Sequence, residues 1–195
     1  MNKKYNYLIY IGRFEPCHTS HIQTIREGLK ISETVLVLIG SSNQPRTTKN
    51  PFTAEEREEM ILSSLTKEER MRVGFQQLID YTYDDNKWIM QVQSIVDGYG
   101  KENTVGIIGH KKDDSAWYLD MFPQWDFIDV GIINDVHATD IREMMFELQQ
   151  IDKNILPIEI YDYLEAFMLT KEFEQLQQEY NFIKKYKESW AAAPY

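Results

Sequence analysis

The chain has 195 residues, enough for one domain with its own hydrophobic core. Its 31 acidic residues outnumber its 21 basic residues and give a net charge of −10, which argues against a protein that binds nucleic acid through a broad basic face. The single cysteine, Cys17, excludes an internal disulfide framework, and no stretch approaches the roughly 20 apolar residues of a membrane span. We therefore expect a cytoplasmic protein whose partners are neither nucleic acids nor membranes.

Short apolar runs, typical of buried strands, alternate along the chain with segments of helical spacing. In chain order the sequence predicts a strand over 7–11, a helix over 22–30, a strand over 34–39, a helix over 53–65, a strand over 73–79, a helix over 88–96, strands over 104–109 and 127–130, and a helix over 139–148. Thr53 and Glu56 form a capping-box pattern at the start of the second helix. The alternation predicts an α/β fold with a parallel sheet flanked by helices, and ligands bind such sheets at the carboxyl ends of the strands.

The pattern changes after Pro157, where the sequence becomes continuously helical and rich in Glu, Gln, Lys and Tyr. We expect two helices here that break near Thr170 and Lys171 and pack on the α/β body. The sequence therefore predicts a core over 1–150 and a C-terminal helical segment over 151–195.

The strongest functional signal follows the first predicted strand. Gly12 ends that strand, Arg13 comes next, Pro16 closes a tight loop, and His18 and His21 lie at the start of the next helix. A strand end, a glycine turn and a helix N-terminus together form an anion site, because free backbone N–H groups and the positive end of the helix dipole point at the ligand. An arginine and two imidazoles add donors for phosphate oxygens, so the segment indicates nucleotide chemistry.

A metal site is the competing interpretation of the two histidines. Residues three apart share one face of a helix, so His18 and His21 could serve as two ligands. A zinc site needs more ligands, and neither Cys17 nor Glu15 is convincingly placed to supply one. We therefore predict no metal ion held by protein side chains alone.

A second motif, residues 137–142, lies at another predicted helix start and reads His-Ala-Thr-Asp-Ile-Arg. Thr139 or Asp140 can cap this helix, and Arg142, one turn into it, faces the N-terminal end. An ordinary cap followed by a surface arginine explains a single string of this kind equally well. The presence of both motifs, in this order and on this fold pattern, favours phosphate binding.

Together the two motifs resemble the double signature of the HxGH nucleotidyltransferases, G-R-F-x-P-x-H-x-x-H followed by S-x-T-x-[IL]-R. Within that superfamily the chain is similar to the archaeal-type nicotinamide mononucleotide (NMN) adenylyltransferases, and most similar to the N-terminal half of bifunctional NMN adenylyltransferase/Nudix hydrolases. Further strings also match: residues 40–42, 50–53 with Glu56-Arg57, 84–88, 108–110 with Lys112-Asp113, 122–125 and 190–195. The last of these is where those proteins pass into their Nudix domain. Two residues depart from the family pattern: Ser20 replaces a glycine and His137 replaces a serine.

The resemblance implies a Rossmann-like nucleotidyltransferase fold and the reaction ATP + NMN → NAD⁺ + pyrophosphate. The NMN phosphate attacks the α-phosphorus of ATP in line, without a covalent enzyme intermediate. Because a phosphomonoester is already largely dianionic at neutral pH, the enzyme needs positioning and electrostatic stabilisation rather than a strong base. Mg²⁺ is expected to enter with ATP, bound mainly through phosphate and water.

The same resemblance assigns roles to individual residues. His18 and His21 are expected to hold the ATP phosphates, Arg142 to clamp the β- and γ-phosphates, and Arg13 to lie where the NMN phosphate meets ATP. The expected ATP site also contains Gly12, Phe14, His110, Thr139 and Ile141, and the expected NMN site contains Trp88, Asn86 and Arg46.

Three of these residues have structural alternatives. Trp88 either stacks on the electron-poor pyridinium of NMN or packs in the core. Arg46 either closes over the substrates or is solvated in its loop, and His110 either lies near ATP or is structural.

The alternatives to an NMN adenylyltransferase are a sister transferase, such as pantetheine-phosphate adenylyltransferase or a cytidylyltransferase, and a non-catalytic nucleotide sensor. Related archaeal-type enzymes form oligomers, so a homo-oligomer is an open expectation. The sequence leaves the choice between NMN and its nicotinate analogue undetermined.

Overall fold

The computed structural model describes residues 3–100, 102–110, 114–131 and 136–191. Within these ranges one parallel sheet has the strand order β3-β2-β1-β4-β5. Its strands are β1 (Tyr5–Gly12), β2 (Ser32–Ile39), β3 (Val73–Gln77), β4 (Val105–Gly109) and β5 (Asp126–Asp129). All five strands predicted from the sequence are confirmed, with ends that differ by one or two residues.

The helices follow the predicted order. They are α1 (Thr19–Ile31), α2 (Ala54–Ser63), α3 (Lys67–Arg70), α4 (Asp85–Asp97), α5 (Ala138–Glu143), α6 (Ile158–Phe167) and α7 (Lys171–Ala191), with 3₁₀ helices at Asp114–Met121 and Lys153–Ile155. A π-helical turn, Met144–Leu148, continues α5, where the sequence predicts a uniform helix. None of the described helices combines the length and the apolar character needed to cross a membrane.

The sheet is buried on both faces, which explains the continuous apolar runs in β1 and β2. Alternate residues of β1 point in opposite directions, so Leu8 belongs to one hydrophobic cluster and Ile9 to the other. The first cluster receives α1, α2, α5, α6 and α7, and the second receives α4 and the 3₁₀ helix Asp114–Met121. The predicted arrangement of helices on both faces is confirmed.

The strand order reverses between the neighbouring strands β1 and β4. From β1 the chain continues to β2 on one side, and from β4 it continues to β5 on the other side. The parallel register of β1 and β4 pairs Tyr7 with Val105 and Ile9 with Ile107, so Gly12 and Gly109 end at the same edge. In open α/β sheets this point of reversal forms the ligand crevice. The first motif lies directly after β1 and therefore at that crevice.

The C-terminal helices contribute to the core on the α1 face. Leu164 of α6 and Phe173 of α7 are buried in the same hydrophobic cluster as Ile25 of α1. The predicted break between the two helices is confirmed, and Thr170 there accepts the Phe173 N–H at 3.2 Å. The division of the chain at residue 150 stays a prediction, and residues 192–195 at the end of the predicted segment lie outside the described residues.

Candidate active site

The loop after β1 folds back over the end of its own strand. Phe14 has a φ of 56°, in the left-handed region, and its buried ring covers Gly12. A Cβ atom at Gly12 would lie 2.8 Å from the tip of that ring, closer than packed atoms approach, so any larger residue here would have to displace the buried Phe14 ring. The Phe14 ring also packs edge-on against Tyr10 and His21, with ring centres 5.3 and 4.9 Å apart.

His18 and His21 form a pair at the start of α1. His18 is the N-cap residue, and the two rings lie 3.8 Å apart. The backbone N–H of His18 donates to Nδ1 of His21 at 3.3 Å. Burial, followed by the neighbouring His18, lowers the pKa of His21 well below 6.5, so this imidazole is uncharged at neutral pH. Since Nδ1 accepts a hydrogen bond, we infer that the proton of the neutral ring is on Nε2, which makes Nε2 a donor for an anionic ligand.

Arg142 joins the second motif to the first. Its Nη1 atom donates to the backbone carbonyl of Glu15, a residue 127 positions earlier in the chain, and its Nη2 atom donates to Oγ1 of Thr139 at 3.2 Å. The side chain is 9% exposed, and Ile141 beside it is buried in the core. The structure therefore brings the two motifs together, as the sequence predicts.

The cap of α5 differs from the expectation. His137 is the N-cap residue, whereas the sequence suggested Thr139 or Asp140. Thr139 instead uses its hydroxyl to orient Arg142 from one turn earlier in the helix. The expectation was wrong because the helix begins at Ala138, one residue earlier than predicted.

Arg13 and Arg142 make this end of the sheet electropositive. Arg13 is exposed directly after Gly12. Burial lowers the pKa of Arg142, and repulsion from Arg13 acts in the same direction. An anionic ligand between the two guanidinium groups would relieve that repulsion, and guanidinium groups match phosphate oxygens geometrically.

His110 lies at the same edge, directly after β4. Its Nδ1 atom is 3.1 Å from Oδ1 of Asp129, the last residue of the neighbouring strand β5. The backbone N–H of Gly131, followed by His110, lowers the pKa of Asp129, so this carboxylate is ionised and orients the imidazole. The contact to β5 gives His110 a structural role, and its place at the strand end is compatible with the predicted place near ATP.

Trp88 and Asn86 belong to α4, on the opposite face of the sheet from α1. The partly buried Trp88 ring contacts Tyr118 and Phe122, with ring centres 5.9 and 6.3 Å apart. The Tyr118 hydroxyl donates to the carbonyl of Ile11 at 3.1 Å, which ties this aromatic group to the end of β1. Asn86 is exposed in the first turn of α4. Both interpretations of Trp88 fit this position, and its role stays a prediction.

The Arg46 side chain is held by residues of its own loop and of α2. Its guanidinium forms two hydrogen bonds of 2.7 Å with the Glu56 carboxylate and a third with the carbonyl of Pro51, and it lies over the Phe167 ring. The structure therefore does not bring Arg46 to the histidines. Its predicted contact with NMN would require the Arg46–Glu56 pair to open.

Comparison with known proteins agrees with the geometry at this edge. Residues 9–144 match the family model described as cytidylyltransferase-like. The chain is also 38% identical over 179 residues to nicotinamide/nicotinic acid mononucleotide adenylyltransferase of Acinetobacter baylyi, an alignment that covers 91% of this chain and 94% of the relative. The chain belongs to the NMN adenylyltransferases of the cytidylyltransferase-like family.

Two further relatives of this NMN adenylyltransferase family extend the comparison. The nicotinamide-nucleotide adenylyltransferase of Saccharolobus solfataricus is 46% identical over 57 residues, which cover 29% of this chain and 33% of the relative. The crystal structure of a bifunctional NMN adenylyltransferase/ADP ribose pyrophosphatase from Francisella tularensis, complexed with AMP and a manganese ion, superposes with a TM-score of 0.87 at 31% identity. It covers 98% of this chain, which spans 57% of the Francisella chain.

Two residues of this adenylyltransferase fold were missed as site components by the sequence reasoning. Glu15 and Arg57 form an ion pair of 3.2 Å between Oε1 and Nε, and each side chain is 1% exposed. Glu15 was considered only as a metal ligand, and Arg57 was part of a string that resembles the family but was given no role. Their burial results from the packing of α2 on the ends of β1 and β2, and no local pattern in the sequence reveals it.

The described residues of this family member contain no group of three or more His, Cys, Asp or Glu side chains that could hold a metal ion. Cys17 is fully buried, and burial raises the pKa of its thiol, which keeps it protonated.

Proposed function

We propose that the chain transfers the adenylyl group of ATP to NMN, forming NAD⁺ and pyrophosphate. The observation that carries the proposal is the contact of Arg142 with the loop that leads into His18 and His21. This contact assembles cationic and hydrogen-bonding groups at the start of α1, where a polyphosphate would be bound. The family membership and the names of the relatives support the reaction.

In this reaction an oxygen of the NMN phosphate forms a bond to the α-phosphorus of ATP, while the bond from that phosphorus to the bridging oxygen of the leaving pyrophosphate breaks. We propose that Nε2 of His21 and the ring of His18 donate to oxygens at the reacting phosphorus. Arg142 would stabilise the charge that develops on pyrophosphate, and Arg13 the two phosphates that approach each other. Preorganised donors of this kind lower the barrier because they do not have to reorient during the reaction.

The remaining predicted residues complete the two substrate sites. Gly12 and Phe14 would line the phosphates through the backbone of their loop. His110, Thr139 and Ile141 are proposed for the ATP side, and Trp88, Asn86 and Arg46 for the NMN side.

We propose Mg²⁺ as the metal ion. Imidazole and guanidinium groups at this edge suit phosphate rather than Mg²⁺, which prefers oxygen ligands and keeps several waters. The ion would therefore be bound by the ATP phosphates and water, and the Francisella relative was crystallised with a manganese ion. We further propose that the chain works in the cytoplasm on these two small-molecule substrates; its assembly into a homo-oligomer stays a prediction.

The experiment is to incubate the purified chain with ATP, Mg²⁺ and NMN and to follow NAD⁺ with an alcohol dehydrogenase-coupled assay. We expect NAD⁺ to form and its formation to be lost in His18→Ala at an unchanged melting temperature. If no NAD⁺ forms, a panel of other phosphate acceptors, including nicotinate mononucleotide and pantetheine phosphate, identifies a sister transferase. Tight ATP binding without turnover on any acceptor would indicate a nucleotide sensor.

A further inference from the structure

The buried ion pair between Glu15 and Arg57 lies directly beneath the candidate active site. Glu15 is in the loop after β1, and Arg57 is in the first turn of α2. Each side chain is 1% exposed, and an ion pair at this depth contributes little net stability because both charges lose their hydration. Stability alone therefore does not explain why the Glu15–Arg57 ion pair is buried here.

Arg57 connects the ends of two neighbouring strands. Its Nη1 atom donates to the carbonyl of Arg13 at 2.8 Å and to the carbonyl of Gly40 at 2.7 Å, and its Nε atom donates to the carbonyl of Thr53 at 3.1 Å. Arg13 and Gly40 directly follow β1 and β2. One planar guanidinium thus fixes the backbone from which the exposed Arg13 side chain emerges.

Glu15 connects the same point to two other segments. Its Oε2 atom accepts the Phe52 N–H at 3.1 Å, which ties the loop after β1 to the chain segment before α2. Its backbone carbonyl accepts the hydrogen bond from Arg142. One residue therefore binds Arg57 through its side chain and Arg142 through its backbone.

We propose that Glu15 and Arg57 are a positioning pair, which holds the backbone at Arg13 and the guanidinium of Arg142 in the arrangement required for phosphoryl chemistry. The proposal rests on the proposed adenylyl transfer. Neither residue has to touch a substrate, because Arg57 acts through the carbonyl of Arg13 and Glu15 acts through its contact with Arg142.

The charge of Glu15 has a second effect at this place. Burial raises the pKa of Glu15 to about 7, and the opposing influences are, in order, Arg57, the Phe52 N–H, Arg142 and Arg13. Above about pH 7, where the Glu15 carboxyl group is mainly ionised, it lies within the field of three guanidinium groups and offsets part of their mutual repulsion. This compensation allows the cations to stay close together before a polyanionic substrate arrives.

The test compares Arg57→Lys with the matched control Arg72→Lys. Arg72 also donates to backbone carbonyls, those of Leu29, Ser32 and Glu33, but at the opposite edge of the sheet where β2 begins. A lysine keeps the charge at either place and cannot reproduce the forked contacts. Arg57→Lys is expected to melt at a lower temperature than Arg72→Lys, because it leaves more deeply buried carbonyl groups without a donor, so both are assayed well below their melting temperatures.

We expect Arg57→Lys to lower kcat by about 10²-fold, because a displacement of about 1 Å at the reacting groups has consequences of that size. KM for ATP is expected to rise by about tenfold and KM for NMN to change by at most about threefold. Arg72→Lys is expected to keep the kcat of the unchanged chain. If Arg57→Lys keeps its kcat within about threefold, or if both variants lose turnover equally, the positioning role is refuted.

Glu15→Gln provides a second, milder variant that keeps the shape and an oxygen for the Phe52 N–H. We expect it to lower kcat by about tenfold, and we expect the double variant Glu15→Gln/Arg57→Lys to be no slower than Arg57→Lys alone, because residues that act as a unit are not additive. If the losses in kcat of the two single variants multiply in the double variant, Glu15 and Arg57 do not act as a unit.

The same experiment distinguishes a failure of the proposed adenylyl transfer from a failure of the positioning role. A chain without substitutions that forms no NAD⁺ refutes adenylyl transfer to NMN. The pair is then tested by calorimetric titration with MgATP, for which Arg57→Lys is expected to weaken binding by about tenfold and Arg72→Lys to leave it unchanged, since only Arg57 supports the phosphate-binding groups. Equal affinities of the two variants would refute the pair.

Discussion

The two halves of the candidate site are built in different ways. The proposed phosphate half, residues 12–21 and 138–142, contains a group of buried side chains that includes Glu15, His18 and Arg142. Arg142 bonds there to the backbone of a distant segment, at Glu15. The proposed acceptor half, residues 46 and 84–88, is more exposed over 84–88, where Asp84 pairs with Lys87 in the next turn. Its Arg46 pairs with Glu56 at the start of α2. The first arrangement suits a fixed electrostatic environment for a transition state, and the second suits the recognition of a substrate that must enter and leave.

Arg142→Ala tests the phosphate half most strongly. We expect kcat to fall by about 10²-fold or more, because a buried guanidinium preorganised toward the leaving pyrophosphate stabilises the transition state. Steady-state kinetics with saturating ATP and NMN measure the effect, with the melting temperature as the control for folding. Unchanged turnover would remove Arg142 from the mechanism and with it the distinction between the two halves.

The pH dependence of stability tests the burial of His21. Its pKa is held well below 6.5 in the folded chain, so the unfolded chain binds more protons at this site as the pH falls below about 6.5, and the contribution of His21 to the free energy of unfolding falls. Glu15, whose pKa is raised to about 7, acts in the opposite direction, so the effect of His21 is obtained as a difference from a variant without this imidazole. The slope for one such group is at most about 1.4 kcal/mol per pH unit.

Thermal melts between pH 8 and pH 5.5 measure this slope, and His21→Asn, which keeps an acceptor for the His18 N–H, is the matched variant. We expect the variant to lose less stability on acidification. Superimposable pH profiles would show that His21 titrates as in water and that this part of the phosphate half is open to solvent.

Trp88→Ala tests the acceptor half. We expect KM for NMN to rise by about fivefold and KM for ATP to stay nearly constant, because a cation–π contact with the pyridinium ring is worth on the order of 1 kcal/mol. Trp125→Ala is the matched control, since Trp125 stacks on Phe122 in the same aromatic cluster, with ring centres 4.7 Å apart. An equal rise in both KM values, in both variants, would assign Trp88 to core packing.

Arg46→Ala is expected to have the smallest effect. The guanidinium must leave Glu56 before it can bind NMN, so we expect a rise of only about threefold in KM for NMN, together with a small loss of stability of the kind seen for partly exposed ion pairs. Glu56→Gln, which releases Arg46, is expected to shift KM for NMN in the opposite direction. A loss of stability in Arg46→Ala with no change in KM would place Arg46 outside the acceptor half.

Local patterns predicted the elements of the fold. The capping box at the start of α2 forms as expected, with the Glu56 N–H donating to the Thr53 hydroxyl at 3.3 Å and the Thr53 N–H donating to the Glu56 carboxylate at 2.7 Å. The break between α6 and α7 also lies where the sequence placed it. Residues that are close in sequence make these contacts, so the sequence alone carries the information.

Individual contacts between distant segments were not predicted. The sequence left open whether Arg46 closes over the substrates or is solvated in its loop, whereas the fold pairs it with Glu56 and places it over Phe167. Phe167 comes from another part of the chain, which a local pattern does not contain. The short helix α3 and the two 3₁₀ helices were also missed, because such short or irregular elements have weak periodicity.

The amino-acid sequence alone indicated the alternation of strands and helices, the two motifs, and the chemistry that imidazole and guanidinium groups perform at the ends of strands. The folded chain added the pairing of those motifs through Arg142 and the carbonyl of Glu15, and the burial of Glu15 against Arg57. Periodicity and residue type are local properties that can be read along a chain. The pKa of a carboxylate and the direction of a guanidinium depend on which distant groups exclude water around them, and only the packing of the whole sheet brings those groups together.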